Sequence, residues 1–258
     1  DCPGAQGVTV VFSCIASHHG FAAVDALQGR LAGQHLLFVR CPDKNWYCDE
    51  RFDRVRALLA DRVAAHFAPH QVTCWYGSMG GHGALKFALE FGWRAIVFNP
   101  QTDLDLWAAF RPRERALLWG AQAHRSLADL PTQAWQQVPL YYACGAATAD
   151  REALSVVIDR LRSCQQLTAI IEKFDDTAHA GLMNRIAGGP VHQALTRIGT
   201  RLHDLQSEAQ LDHAVHDLDD RAAFWDGLDA ARKLKVEVRV RDGQLSWQPS
   251  LACTPGIG

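Results

Sequence analysis

The chain has 258 residues, 48 % of them apolar, which suits one large α/β domain or a medium domain with an appendage. Its formal net charge is −2 with acids and bases interspersed, which excludes the basic face of a nucleic-acid binder. No apolar run reaches the roughly 18–20 residues of a membrane helix, so neither nucleic acid nor a membrane span is expected.

The chain opens on "DCPGAQ", without methionine or a signal-peptide pattern, as a processed form or a segment of a longer protein would. The eight cysteines are Cys2, Cys14, Cys41, Cys48, Cys74, Cys144, Cys164 and Cys253, scattered and without a CxxC pair. Several stand in apolar strand-like runs, where a free thiol behaves as a small hydrophobe. They read as reduced thiols of a cytoplasmic protein. No Cys/His spacing resembles a zinc ligand set, so no metal is expected. The adjacent His18 and His19 diverge and read as a loop pair.

In chain order, short apolar runs alternate with stretches at helical period. Residues 8–13 ("VTVVFS") read as a buried strand, followed by a helix over 21–31 with Phe21, Val24, Leu27 and Leu31 on one face. Residues 35–40 ("HLLFVR") are the second strand, and 51–67 a helix aligning Val55, Leu58, Leu59 and Val63. Residues 71–76 ("QVTCWY") are the third strand, and the helix over 80–91 starts on glycines. The fourth strand, 94–99, stops at Pro100, and 102–130 holds two or more helices. Residues 139–144 ("PLYYAC") and 167–174 ("LTAIIEKF") are the fifth and sixth strands, with a helix over 150–163 between them. A helix near 191–205 closes the set.

Six strands alternating with helices imply βαβ crossovers and a parallel sheet covered on both faces, a three-layer αβα sandwich. In such sheets ligands sit beyond the carboxyl ends of the strands, so chemistry is sought just after each one. The tail differs. Residues 207–233 are charged and helical, and "KVEVRVRDGQLSWQPS" alternates strictly around Asp242-Gly243, a two-residue hairpin signal. The apolar positions Val236, Val238, Val240, Leu245 and Trp247 either pack on the main domain or dock a protein partner. The organisation expected is a domain over 1–205, with a candidate helical cap over 103–137, and a helix-plus-hairpin extension over 206–258.

After the third strand comes "GSMGGHG". A serine on a strand–turn–helix junction exposes its Oγ beside the free amides of a helix start. Ser78 is therefore either a nucleophile or an N-capping serine in a glycine-rich turn. A phosphate loop would need a Walker pattern, which is lacking. A serine nucleophile needs a base, and the base an orienting carboxylate. Asp150 follows the fifth strand in "GAATAD" and His179 the sixth in "DDTAHAGL", both beyond strand ends on the face that holds Ser78. Asp150 could instead cap the next helix, and Asp103 and Asp105 are rival acids. Asp175 and Asp176 stand too near His179 in sequence.

The stretches "YGSMGGHGAL", "CGAATAD" and "FDDTAHAG", in the order Ser…Asp…His, resemble the α/β-hydrolase superfamily over roughly residues 8–205. The resemblance implies a six-stranded hydrolase-type sheet without the two outer strands that precede it in the family. It also implies a serine esterase or thioesterase that needs no cofactor, with Ser78, His179 and Asp150 as triad. The oxyanion amides would come from Met79 and from Ser13 or Cys14. Trp46 and Tyr47, just beyond the second strand, either line the site or pack in the core, and Asn99, Pro100, Gln101 and Thr102 after the fourth strand would line it. The pattern "FS…NWY…SMGG…NPQT" is also similar to a bacterial group of hydrolase-fold proteins linked with surface polysaccharide, which makes an acylated saccharide a candidate substrate. Two alternatives stand beside hydrolysis: acyl transfer onto a sugar, and a non-catalytic scaffold. Tyr76 speaks for the scaffold, since a bulky residue two before the serine crowds the elbow.

Overall fold

A computed structural model of the chain describes residues 4–15, 27–28, 30–31, 33–110, 126–208, 214–216 and 218–249. Strands β1 (Gly7–Phe12), β2 (Gln34–Val39), β3 (Val72–Gly77), β4 (Arg94–Phe98), β5 (Leu140–Cys144) and β6 (Leu167–Lys173) pair in parallel in the order β2-β1-β3-β4-β5-β6. Each lies within one or two residues of its expected place. Buried parallel strands read as continuous apolar runs, and the central ones are buried along nearly their whole length.

Among the described residues, five helices carry the crossovers: α1 (Arg51–Leu59), α2 (Ser78–Phe91), α3 (Leu104–Phe110), α4 (Thr132–Gln137) and α5 (Thr148–Arg162). Of these, α4 touches both α2 and α5, and the three form one layer. After β6 come α6 (His179–Gly188) and α7 (Val191–Ser207), and α7 lies across β4, β5 and β6 on the opposite face. The inner face of α1 and of the turn at 60–64 that continues it is the expected one except at Leu58, with Val55 packed against the core. Phe52, Leu59 and Val63 point inward, while Leu58 is exposed. Positions 52, 59 and 63 fit a 3.6-residue period, whereas 58 is turned about 100° from 59. The helix expected over 21–31 lies mostly outside the described residues, as do His18 and His19 and the middle of the candidate cap.

Among the described residues the sheet has nine strands, where six were expected. Beyond residue 208 come β7 (Ala214–His216), α8 (Leu218–Ala230), β8 (Leu234–Arg241) and β9 (Gln244–Pro249). Strand β8 pairs antiparallel with β6 over its full length, and β9 bridges β8 and β7. The hairpin turns on Asp242 and Gly243, both at positive φ, as a two-residue turn between twisted strands demands. Val236, Val238, Val240 and Leu245 are buried. The hairpin therefore continues the sheet, because the outer edge of β6 offers a full row of backbone donors and acceptors that would otherwise be left unpaired.

Strand order reverses between β1 and β3: β2 lies on one side of β1, while β3 to β6 run off the other. A crevice opens at such a switch point, outside the carboxyl ends of the strands. The first turn of α2 stands there.

Candidate functional site

Ser78 joins β3 to α2 with φ = +56°. A side chain other than glycine is strained there by about 1–3 kcal/mol, and the strain is borne by two well-packed elements. The strained turn presents Oγ 2.9 Å from His179 Nε2. His179 is the first residue of α6, and its Nδ1 lies 2.6 Å from Asp150 Oδ1. Asp150 is 2 % exposed. A carboxylate only accepts, so Nδ1 carries the proton and Nε2 offers its lone pair to the serine hydroxyl. Asp150 is not the helix cap: Ala147 holds that position, and Asp150 sits in the first turn of α5, where a negative charge is favoured.

The other candidate acids are engaged elsewhere. Asp103 Oδ1 accepts from the Leu106 amide at the start of α3. Asp175 pairs with Lys233, and Asp176 with Arg185.

Tyr76 is accommodated by a glycine. A Cβ on Gly80 would stand 2.9 Å from Tyr76 Cδ1 and 2.7 Å from the Phe12 carbonyl oxygen. The ring lies against the first turn of α2 in the room that Gly80 leaves, and the contact between Ser78 and His179 forms beside it.

Of the two proposed oxyanion amides after β1, Ser13 N–H donates to the Val39 carbonyl at 3.0 Å and belongs to the sheet. Cys14 is the residue beyond it. Ser13 is held by a closed set of hydrogen bonds: Cys41 N–H donates to Ser13 Oγ at 2.9 Å, Ser13 Oγ meets the Tyr47 hydroxyl at 3.0 Å, and that hydroxyl donates to the Ser13 carbonyl at 2.8 Å. Burial raises the Tyr47 phenol far above its ordinary pKa, so it stays a donor.

Trp46 and Tyr47 were expected either to line the site or to pack in the core. Both are fully buried at positive φ, and Gln101 is nearly so. Trp46 Nε1–H donates to Gln101 Oε1. His82 lies 2.6 Å from the Gln101 carbonyl through Nδ1, and burial pushes its pKa down to about 3. These residues brace the start of α2 from behind and present little surface to a ligand.

Asn99, one of the residues expected to line the site, and Trp107, which was not expected there, both stand beside His179. Asn99, at φ = +42° at the end of β4, accepts from Gly145 N–H at 2.6 Å and donates through Nδ2 to the His179 carbonyl at 3.0 Å. It joins the loop that leads to Asp150 to the start of α6. Trp107 on α3 places its ring 4.8 Å from the His179 ring, tilted by 50°. Asn before Pro at a strand end was the available signal for Asn99, because Asn tolerates left-handed backbone. Nothing in the sequence singles out Trp107.

No disulfide joins any two of the six described cysteines. No group among the described residues could hold a metal ion, and no described helix is long and apolar enough to cross a membrane.

No protein-family model matches the chain, and no curated protein does. Solved structures do. The capsule O-acetyltransferase of Neisseria meningitidis serogroup A is similar with a TM-score of 0.54 at 12 % identity, over 76 % of this chain and 88 % of that one. A histidine-to-alanine mutant of that acetyltransferase in complex with CoA is similar over 68 % and 80 %, with a TM-score of 0.50 at 12 % identity. The Glycosylation Associate Protein (Gap123) complex from Streptococcus agalactiae gives a TM-score of 0.54 at 15 % identity, over 80 % of this chain but only 43 % of that one. At these identities the likeness is one of fold.

These neighbours correct the family read from the motifs. The α/β-hydrolase, serine-esterase assignment does not hold, since the structures that share this fold are an acetyltransferase and a glycosylation-associated protein. The motifs misled for a physical reason. A strained elbow, a histidine and a carboxylate are what any enzyme needs to activate a serine. They carry no information about the group that finally receives the acyl unit.

Proposed function

We propose that this chain is an acyltransferase that moves a short acyl group from a thioester donor to a saccharide hydroxyl through Ser78. The observation that carries the reading is the continuous hydrogen-bonded series from Ser78 Oγ through His179 to buried Asp150. The shared fold with a capsule O-acetyltransferase, one form of which is in complex with CoA, supports acetyl as the group and a CoA thioester as the donor. The likeness to the Gap123 complex is what favours the scaffold reading, while its other argument, the Tyr76 ring, is met by the room that Gly80 leaves.

In the first half-reaction, His179 Nε2 takes the Ser78 hydroxyl proton as Oγ attacks the thioester carbonyl. The tetrahedral intermediate collapses, the C–S bond breaks, and the thiol leaves with that proton. In the second, an acceptor hydroxyl gives its proton to Nε2 as its oxygen attacks the acyl-serine. The ester bond to Oγ breaks, and the proton returns to Ser78. Asp150 holds the histidine tautomer throughout. The amides of Met79, in the first turn of α2, and of Cys14, beyond β1, are the proposed donors to the oxyanion, each worth about 3 kcal/mol.

The test is intact-mass and peptide analysis after incubation with acetyl-CoA. One acetyl group should appear on Ser78, and none on the Ser78→Ala variant. Asp150→Asn should slow acylation by about 10³–10⁴-fold through loss of the tautomer. An acetyl group that persists on Ser78→Ala protein would remove Ser78 from the mechanism.

A further inference from the structure

An acyl-serine is open to water as well as to a sugar, so a transferase must shield its base from bulk solvent. The histidine here carries such a shield on one face. The Trp107 indole lies 4.8 Å from the imidazole of His179 at a 50° tilt, and it is itself only 4 % exposed. His179 keeps 14 % of its side-chain surface accessible, while Asp150 behind it keeps 2 %.

Helix α3, which bears Trp107, is pinned at its start. Asp103 Oδ1 accepts from the Leu106 amide at 2.9 Å, Asp103 bridges to Ser126, and the Leu127 amide donates to the Thr102 carbonyl at 2.8 Å. Thr102 in turn donates through its hydroxyl to the Ala153 carbonyl on α5, the helix of Asp150, at 2.8 Å. The indole and the carboxylate that flank His179 are thus tied to one framework.

We infer that Trp107 is a specificity-determining residue that partitions the acyl group between a sugar hydroxyl and water. The inference rests on the acyl-transfer reading above. Two physical effects act together. The indole denies one face of the imidazole to water, so a hydroxyl must approach from the side on which a bound acceptor lies. An aromatic face within about 6 Å also stabilises a cation, and the imidazolium exists only while the tetrahedral intermediates form and collapse. In the second half-reaction the same atoms move for either acceptor. Nε2 takes the proton from the O–H, a C–O bond forms, the bond to Ser78 Oγ breaks, and Oγ recovers the proton. Sugar yields an ester and water yields a carboxylic acid. The difference lies in which O–H can reach Nε2.

The experiment compares wild type with Trp107→Ala, Trp107→Leu and Trp107→Phe, using acetyl-CoA and an oligosaccharide acceptor. Acetylated sugar and free acetate are quantified together, and acetyl-Ser78 is followed by mass spectrometry. Trp107→Ala should raise the acetate-to-ester ratio about ten-fold. Trp107→Leu should keep the ratio near that of wild type but lower kcat several-fold, because it shields without a π face. Trp107→Phe should keep both near wild type. In parallel, carbethoxylation of His179 by diethyl pyrocarbonate, read on its peptide, should quicken several-fold in Trp107→Ala without any substrate present. An unchanged ratio and an unchanged His179 modification rate in Trp107→Ala would overturn the inference while leaving the transferase reading intact. A wild-type protein that never acylates Ser78 would overturn the transferase reading and this inference with it. Lower kcat in all three variants at a constant product ratio would show that Trp107 only supports the structure.

Discussion

Asn99→Ala should loosen the site without touching any reacting atom. The Asn99 side chain makes a buried hydrogen bond with Gly145 N–H at 2.6 Å and a part-buried one with the His179 carbonyl at 3.0 Å. Truncation leaves the buried Gly145 N–H without its partner, at about 1–3 kcal/mol, and removes the part-buried bond to the His179 carbonyl, worth about 0.5–1.5 kcal/mol. Alanine at φ = +42° adds strain of about 1 kcal/mol. The sum, about 3–6 kcal/mol, is a large part of the 5–15 kcal/mol that holds a typical domain folded. Asn99→Gly loses the same hydrogen bonds but relaxes the backbone, so it should recover about 1 kcal/mol of the deficit. Urea unfolding at constant m reads both differences. The loops of Asp150 and His179 should drift apart, and a shift near 1 Å can cost about 10²-fold in rate. Acyl transfer by whatever fraction of the variant is folded should fall accordingly. An Asn99→Ala protein within about 0.5 kcal/mol of wild type and with full turnover would refute the reasoning, because the clamp would then have no energetic content.

Two further outcomes are expected. Gly80→Ala places a methyl group 2.7 Å from the Phe12 carbonyl oxygen and 2.9 Å from the Tyr76 ring, a clash worth about 1–3 kcal/mol; adding Tyr76→Ala frees only the ring, so thermal unfolding of the double variant should show at most partial rescue, and complete rescue would locate the obstacle in the ring alone. Buried His82, with a pKa pushed down to about 3, stays neutral in the fold while the unfolded chain takes up a proton below about 6.5. The folded value is the depressed one, so its stabilising share is complete above about pH 6.5 and declines by about 1.4 kcal/mol per unit as pH falls toward 3. The slope of stability against pH in that window should be shallower by one proton in His82→Gln, and equal slopes would count against a neutral buried histidine.

Much of the fold was legible. Six parallel strands stood out because strands buried on both faces must be apolar throughout, as Val8, Val10 and Val11 in β1 show. The hairpin was legible because Asp242-Gly243 can adopt two consecutive positive φ angles. Its place in the sheet was not, since alternation shows that one face is buried and never against what. Ser78, Asp150 and His179 could be picked out by one rule, that residues beyond parallel strand ends converge.

By itself, then, the sequence determined the local terms: which segments are strands, where the chain turns, and which serine, aspartate and histidine stand at strand ends. Only the tertiary structure decided how those groups meet, because hydrogen bonds such as those of Asn99 join residues 46 and 80 positions apart and depend on the register of the sheet. The same holds for Trp46 and Tyr47, which their place beyond a strand leaves open to site or core and which packing turned inward behind α2. It holds for Trp107 as well. Its approach to His179 follows from how α3 is tied to the framework of α5, and no pattern along the chain encodes that distance.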